Sequence, residues 1–152
     1  MPKVDLPALV QQAELAHPVL GSGLGACACQ LISDRGGLTQ FGAFIEVLPP
    51  GSKSSFRHWH ETEDEMVYVL AGQVVPVEDR ETELRAGDAA CWPAGLAVGH
   101  CLENRSDPEA RYLVIGTRKV QDVIHYPDGD LVAHKPDMAR QYFHADGRKR
   151  YG

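Results

Sequence analysis

Two histidines one residue apart, His58 and His60, are followed five residues on by Glu65, and the set lies between Gly51 and Gly72. This spacing limits the fold more than any other feature of the chain. On an extended strand alternate side chains share a face, so His58 and His60 point into the same space. A turn after His60 can bring Glu65 back towards them on the next strand. Two imidazoles and a carboxylate converging from a sheet make a divalent-metal site. Within the acidic run 61–65, Glu61, Glu63 and Asp64 are expected to face water in the turn. Their negative potential would favour cation uptake.

The rest of the chain suits such a sheet. Short strands are expected over 26–33, 38–48, 56–60, 65–70, 73–78, 82–85, 89–92, 98–103, 110–117 and 123–126. Turn signals separate them, among them Pro49-Pro50-Gly51, Ala71-Gly72 and Ala86-Gly87-Asp88. Many short strands at regular spacing predict an all-β sandwich or barrel. A short N-terminal helix is expected over 5–16: Asp5 caps it, Pro7 fits its first turn, and Leu6, Leu9, Val10 and Ala13 share a face. His17-Pro18 ends it, and the glycine-rich run 21–25 connects it onward. From Arg118 the chain turns polar, with Pro127 and Pro136, which predicts an irregular C-terminal tail packed on the barrel. The expected division is therefore helix and connector over 1–25, barrel over 26–126 and tail over 127–152.

A second segment complements the first. It carries Gly87, Pro93-Ala94-Gly95, His100 and Asn104. Together the two segments resemble the paired motifs of the cupin superfamily. That resemblance implies a double-stranded β-helix, or jelly-roll, with one divalent metal bound by His58, His60, Glu65 and His100. The gap from Gly95 to His100 is longer than the usual family spacing. The runs 37–42, 58–70 and 125–128 are similar to a bacterial single-domain subfamily, some small members of which carry a sugar-phosphate isomerase label. The resemblance spans about residues 40–117 and implies a homodimer. Other relatives carry a helix-turn-helix, for which this chain has no room, so DNA binding is not carried across.

At 152 residues the chain is expected to be one domain. A net charge of −6 argues against a nucleic-acid surface. The one basic cluster, Arg148-Lys149-Arg150, reads as a solvated terminus. No apolar run is long enough to span a bilayer, and the first residues lack a signal-peptide core, so the expectation is a cytoplasmic protein with no membrane partner. Cys27, Cys29, Cys91 and Cys101 form no secretory framework and no CxxC pair; Cys27 and Cys29 read as small strand residues.

Strand parity maps the pocket. Phe56, Val67, Val69 and Leu102 should point inward beside the ligands, and Arg57, Trp59, Met66 and Tyr68 outward, where Trp59, Met66 and Tyr68 form an apolar patch suited to a second sheet or a dimer partner. Four protein ligands leave an octahedral ion two positions for a small-molecule substrate, and they suit Zn, Fe, Mn or Ni alike. Three functions fit. One is isomerase or epimerase chemistry, with the metal as Lewis acid and a base among Tyr112, His125 and His144. A sugar phosphate would also need a basic clamp, for which Lys53 and Arg57 are nearest. The second is an Fe-dependent dioxygenase in an apolar cavity. The third is a non-catalytic binder of a small ligand or metal.

Overall fold

The structure, a computed structural model, describes residues 3–137 and 139–150. These residues form thirteen strands and no helix. In chain order they are β1 (Val10–Gln12), β2 (Cys27–Leu31), β3 (Phe41–Leu48), β4 (Trp59–His60), β5 (Glu65–Ala71), β6 (Gln73–Val77), β7 (Leu84–Arg85), β8 (Ala89–Trp92), β9 (Cys101–Glu103), β10 (Ala110–Thr117), β11 (Asp122–Tyr126), β12 (Leu131–Lys135) and β13 (Gln141–Phe143). A six-stranded sheet runs β1-β2-β3-β10-β5-β8, a three-stranded one β7-β6-β9, and a four-stranded one β13-β12-β11-β4. Every pairing is antiparallel. None of the described residues forms a helix long and apolar enough to cross a membrane.

Alternation decides which side chains meet inside. Leu48 of β3, Val69 of β5, Val74 of β6 and Tyr112 of β10 are fully buried in one cluster with Val67, Trp92 and Leu102. Each fully buried aliphatic side chain there contributes about 1.5–3 kcal/mol. Tyr68, the next residue along β5, is exposed, as parity requires. A second cluster, Ile124, Tyr126, Leu131 and Ala133, lies against the four-stranded sheet and takes in Phe56. His58 lies in the gap between these two clusters, lining one cavity with Val67 and Leu102 and another with Ile124 and Tyr126. His58 and His100 exchange backbone hydrogen bonds across this gap, at 3.1 and 3.0 Å.

Two expectations need correction. The N-terminal helix is absent. Val10–Gln12 pairs instead with β2, and Leu9 packs on the outer-face cluster of Ala28, Ile45 and Val47. Leu6 and Val10 are exposed, so the apolar stripe read as a helix face has no surface to bury against. Short helices are marginal without one, and strand pairing prevails. The tail is not irregular either. Leu131 and Ala133 are buried on β12, which pairs with β11 and β13. Pro127-Asp128-Gly129-Asp130 makes the β11–β12 hairpin: Gly129 N–H donates to Tyr126 C=O, and Asp130 takes a φ of 45°. Pro-Asp-Gly is a turn sequence for a stated reason, since proline presets φ and glycine and aspartate tolerate the tight geometry.

Candidate metal centre

Three imidazoles reach one carboxylate. His100 Nε2 lies 2.6 Å from Glu65 Oε2, His58 Nε2 lies 3.8 Å from the same oxygen, and His60 Nε2 lies 3.7 Å from Oε1. The four residues come from the β4 strand and its approach, from β5, and from the residue that leads into β9. The long loop after Gly95 does not displace His100. Gly95 N–H donates to His60 C=O, Leu96 bulges into solvent, and the bridge to His58 restores the register.

The other ring nitrogen of each histidine is occupied. His58 Nδ1–H donates to Phe56 C=O at 2.9 Å, with Ser55 Oγ at 3.2 Å. His100 Nδ1–H donates to Val98 C=O at 3.3 Å. His60 Nδ1–H donates to Asp122 Oδ2 at 2.6 Å. Carbonyl and carboxylate oxygens only accept, so the hydrogen-bond network assigns the Nδ1 proton in all three rings. Each Nε2 can then offer its lone pair to a cation beside Glu65, and metal uptake there would displace the proton shared by His100 and Glu65. The donor set therefore fits a divalent metal.

Charge agrees with geometry. Burial alone would raise the pKa of Glu65, but the His100 hydrogen bond and the nearby His58 and His60 imidazoles outweigh it and hold the carboxyl well below the ordinary range. Asp122 behaves likewise: burial raises, but His60 and Thr62 lower it further. Thr62 N–H and Oγ–H both donate to Asp122 Oδ1, at 3.0 and 2.8 Å. Trp92 stacks on His100, with ring centroids 4.0 Å apart and planes 6° from parallel. Its indole N–H donates to Glu78 at 2.5 Å.

His60, Glu63 and Asp122 also lie within ligand distance of one another. The Lys135 ammonium already bonds Glu63, and the His60 Nδ1 proton is committed to Asp122. This cluster holds His60 in place. It also corrects the expectation for Glu63, whose side chain is largely buried against Lys135 instead of facing water. Glu61 and Asp64 are exposed, as expected.

Two cavities meet at His58. One, of about 170 Å³, is bounded by His58, Glu65 and His100, by the apolar Phe44, Val67 and Leu102, and by Glu46 and Tyr112. The other, of about 220 Å³, is bounded by His58, His60, His17, Tyr126 and Arg140. Ser54 and Ser55 line both. Of the proposed bases, Tyr112 is in the first cavity. His125 instead stacks on Trp59 and bonds Glu61, and His144 bonds Asp130. Arg57 is spent on Asp79 and Asp128, and neither it nor Lys53 borders either cavity.

The chain matches the cupin domain family over residues 44–116. It is 35% identical to a sugar phosphate isomerase from a cupin superfamily, from Silicibacter pomeroyi, over 99% of this chain and 98% of that one, with a TM-score of 0.89. The chain is a cupin. A second structure, from Acidithiobacillus ferrooxidans and provisionally named a sugar phosphate isomerase, is 25% identical over 91% of this cupin and 88% of its own length, with a TM-score of 0.81. A polyketide cyclase from Streptomyces resistomycificus is 23% identical over 61% of this chain and 66% of its own, with a TM-score of 0.54; that likeness concerns the fold alone. No curated protein matches this cupin.

Asp122, Trp92, Glu46 and Arg140 were not picked out in the sequence. Asp122 and Arg140 lie beyond the paired motifs. Glu46 had one available signal: it is a carboxylate on the inward parity of the apolar stretch Phe44, Glu46, Leu48.

Proposed function

We propose that this cupin is a divalent-metal enzyme of the sugar or sugar-phosphate isomerase and epimerase type, with His58, His60, Glu65 and His100 as its metal ligands. The observation that carries this reading is the convergence of three Nε2 atoms on Glu65, each ring fixed from behind through Nδ1. A metal held there would polarise a substrate carbonyl or hydroxyl as a Lewis acid. The 35% identity to a protein named for this activity supports the substrate class. So does Arg140, a cation on the wall of the cavity that also borders His58 and His60. Its guanidinium can bind a phosphate through paired N–H donors, the part first assigned to Lys53 or Arg57. The substrate would then lie across His58, its anionic end towards Arg140 and its carbonyl end in the inner cavity. The apolar strip Phe44, Val67 and Leu102 beside the ligands favours a second reading, an Fe-dependent dioxygenase.

Elemental analysis of protein purified without chelator or metal-affinity tag tests the first claim. Zinc, manganese or nickel near one per chain, abolished by His58→Ala with His60→Ala, is the expected result. A panel of aldose and ketose phosphates assayed with the loaded protein tests the second. Absence of metal even after anaerobic reconstitution overturns the catalytic reading. Iron with substrate-dependent oxygen uptake transfers it to the dioxygenase.

A further inference from the structure

The inner wall of the metal cavity holds a carboxyl group that the fold gives no ionic partner. Glu46 of β3 stands directly opposite Tyr112 of β10 in the antiparallel register, and the Tyr112 hydroxyl donates to its carboxylate. Both line the cavity that contains His58, Glu65 and His100. Among the described residues no lysine or arginine bonds Glu46. The titratable groups that face it are the thiols of Cys27 and Cys29 on β2 and the phenol of Tyr112 on β10. A carboxylate set in an apolar wall without a cation is costly, and packing alone would be served as well by a neutral side chain.

We propose that Glu46 is the catalytic group that moves the substrate proton, with Tyr112 positioning it. This inference rests on the isomerase reading and adds the acid–base residue that reading lacks. In an aldose-to-ketose conversion the C2–H bond breaks and its proton goes to the Glu46 carboxylate. The bonding pair forms the C1=C2 double bond of an enediolate, and the carbonyl electrons move onto O1. Glu46 then returns the proton to C1 while the O2 hydroxyl proton passes to O1 and C2=O forms. Nothing is oxidised or reduced overall, and no co-reactant is needed. The surroundings suit the task. Burial pushes the Glu46 carboxyl up to about 7, a shift that the Tyr112 hydrogen bond only partly offsets. Such a group can both take and give a proton near neutrality.

The test uses the metal-loaded protein and the near-isosteric Glu46→Gln, whose amide oxygen can still accept from Tyr112. Metal content should match the parent. Turnover should fall by about 10²–10⁴-fold with little change in KM, and incorporation of deuterium from D2O into the substrate carbon should fall with it. Infrared titration of the metal-free protein provides a readout independent of turnover: a protonated-carboxyl band should disappear near pH 7 in the parent and be missing in Glu46→Gln. Tyr112→Phe should move that titration, and the acid limb of the kcat profile, to higher pH. Full turnover in Glu46→Gln, loss of its metal, or a carboxyl band that titrates near pH 4 each overturns the inference. A metal-loaded parent that neither isomerises nor exchanges protons on any sugar phosphate overturns the isomerase reading, and the infrared titration of the metal-free protein still judges Glu46.

Discussion

Replacing Asp122 by asparagine should damage the proposed metal site, which Asp122 does not itself enter. Oδ1 of Asp122 is held by two donors, Thr62 N–H and Oγ–H, while Oδ2 receives the His60 Nδ1 proton at 2.6 Å. Asparagine would keep its carbonyl oxygen on the Thr62 donors, which forces its NH2 group towards His60 Nδ1. Two donors cannot share that contact, so the imidazole proton moves to Nε2 and the lone pair aimed at Glu65 is lost. Loss of such a support typically weakens metal affinity about 10–100-fold. That corresponds to about 1.4–2.8 kcal/mol. Competition against a fluorescent chelator at neutral pH measures the affinity, and 15N NMR of the imidazole identifies the tautomer. Unchanged affinity after the proton has moved to Nε2 would refute His60 as a ligand. An unmoved proton would refute the role assigned to Asp122.

The metal-free protein should be acid-labile. Glu65 and Asp122 sit below their ordinary values, so their stabilisation is complete above those values and lost as pH falls towards the folded ones, which melts below about pH 4 would reveal. Glu46 works in the opposite sense. Its raised pKa favours the fold at low pH and is a cost as pH rises from 4.5 through about 7, so Glu46→Gln should flatten any decline in stability across that window. Trp92→Ala removes a buried indole stacked on His100 and should cost about 3–5 kcal/mol by denaturant titration. Gly72→Ala should destabilise more than Gly51→Ala in the same titration. Both positions have positive φ, but at Gly72 the added Cβ would meet Glu109 O at 2.6 Å, whereas at Gly51 it meets nothing within 4 Å.

Local alternation explains what the sequence revealed. His58-x-His60 and Glu65-x-Val67-x-Val69 carry their inward parity within a few residues, so the proposed ligands and their apolar companions can be read without knowing the partner strands. Asp122 could not. Its role depends on β11 pairing with β4 so that Ile124 lies opposite His60, across a separation no local pattern encodes. Trp92 was visible as a strand end, but its stacking on His100 depends on β8 pairing with β5. The N-terminal segment misled because Leu6, Leu9 and Val10 satisfy a helical period while only Leu9 finds a surface to cover. Leu131 and Ala133 belong to an apolar run of only three residues, Leu131-Val132-Ala133, in an otherwise polar segment, although the preceding turn sequence marked a hairpin.

His60 and the carboxylate that orients it are 62 residues apart, and the strand holding His60 is only two residues long. A nascent chain that has passed Glu65 therefore holds three of the four side chains proposed to bind metal and almost none of the framework that aims them. The barrel must close, and β11 must dock, before the rings face one another. The proposed ion would then be cargo taken up by a finished vessel, not the seed around which it forms. A refolding experiment should accordingly show the same rate of β-sheet formation with and without metal, and metal capture only after it.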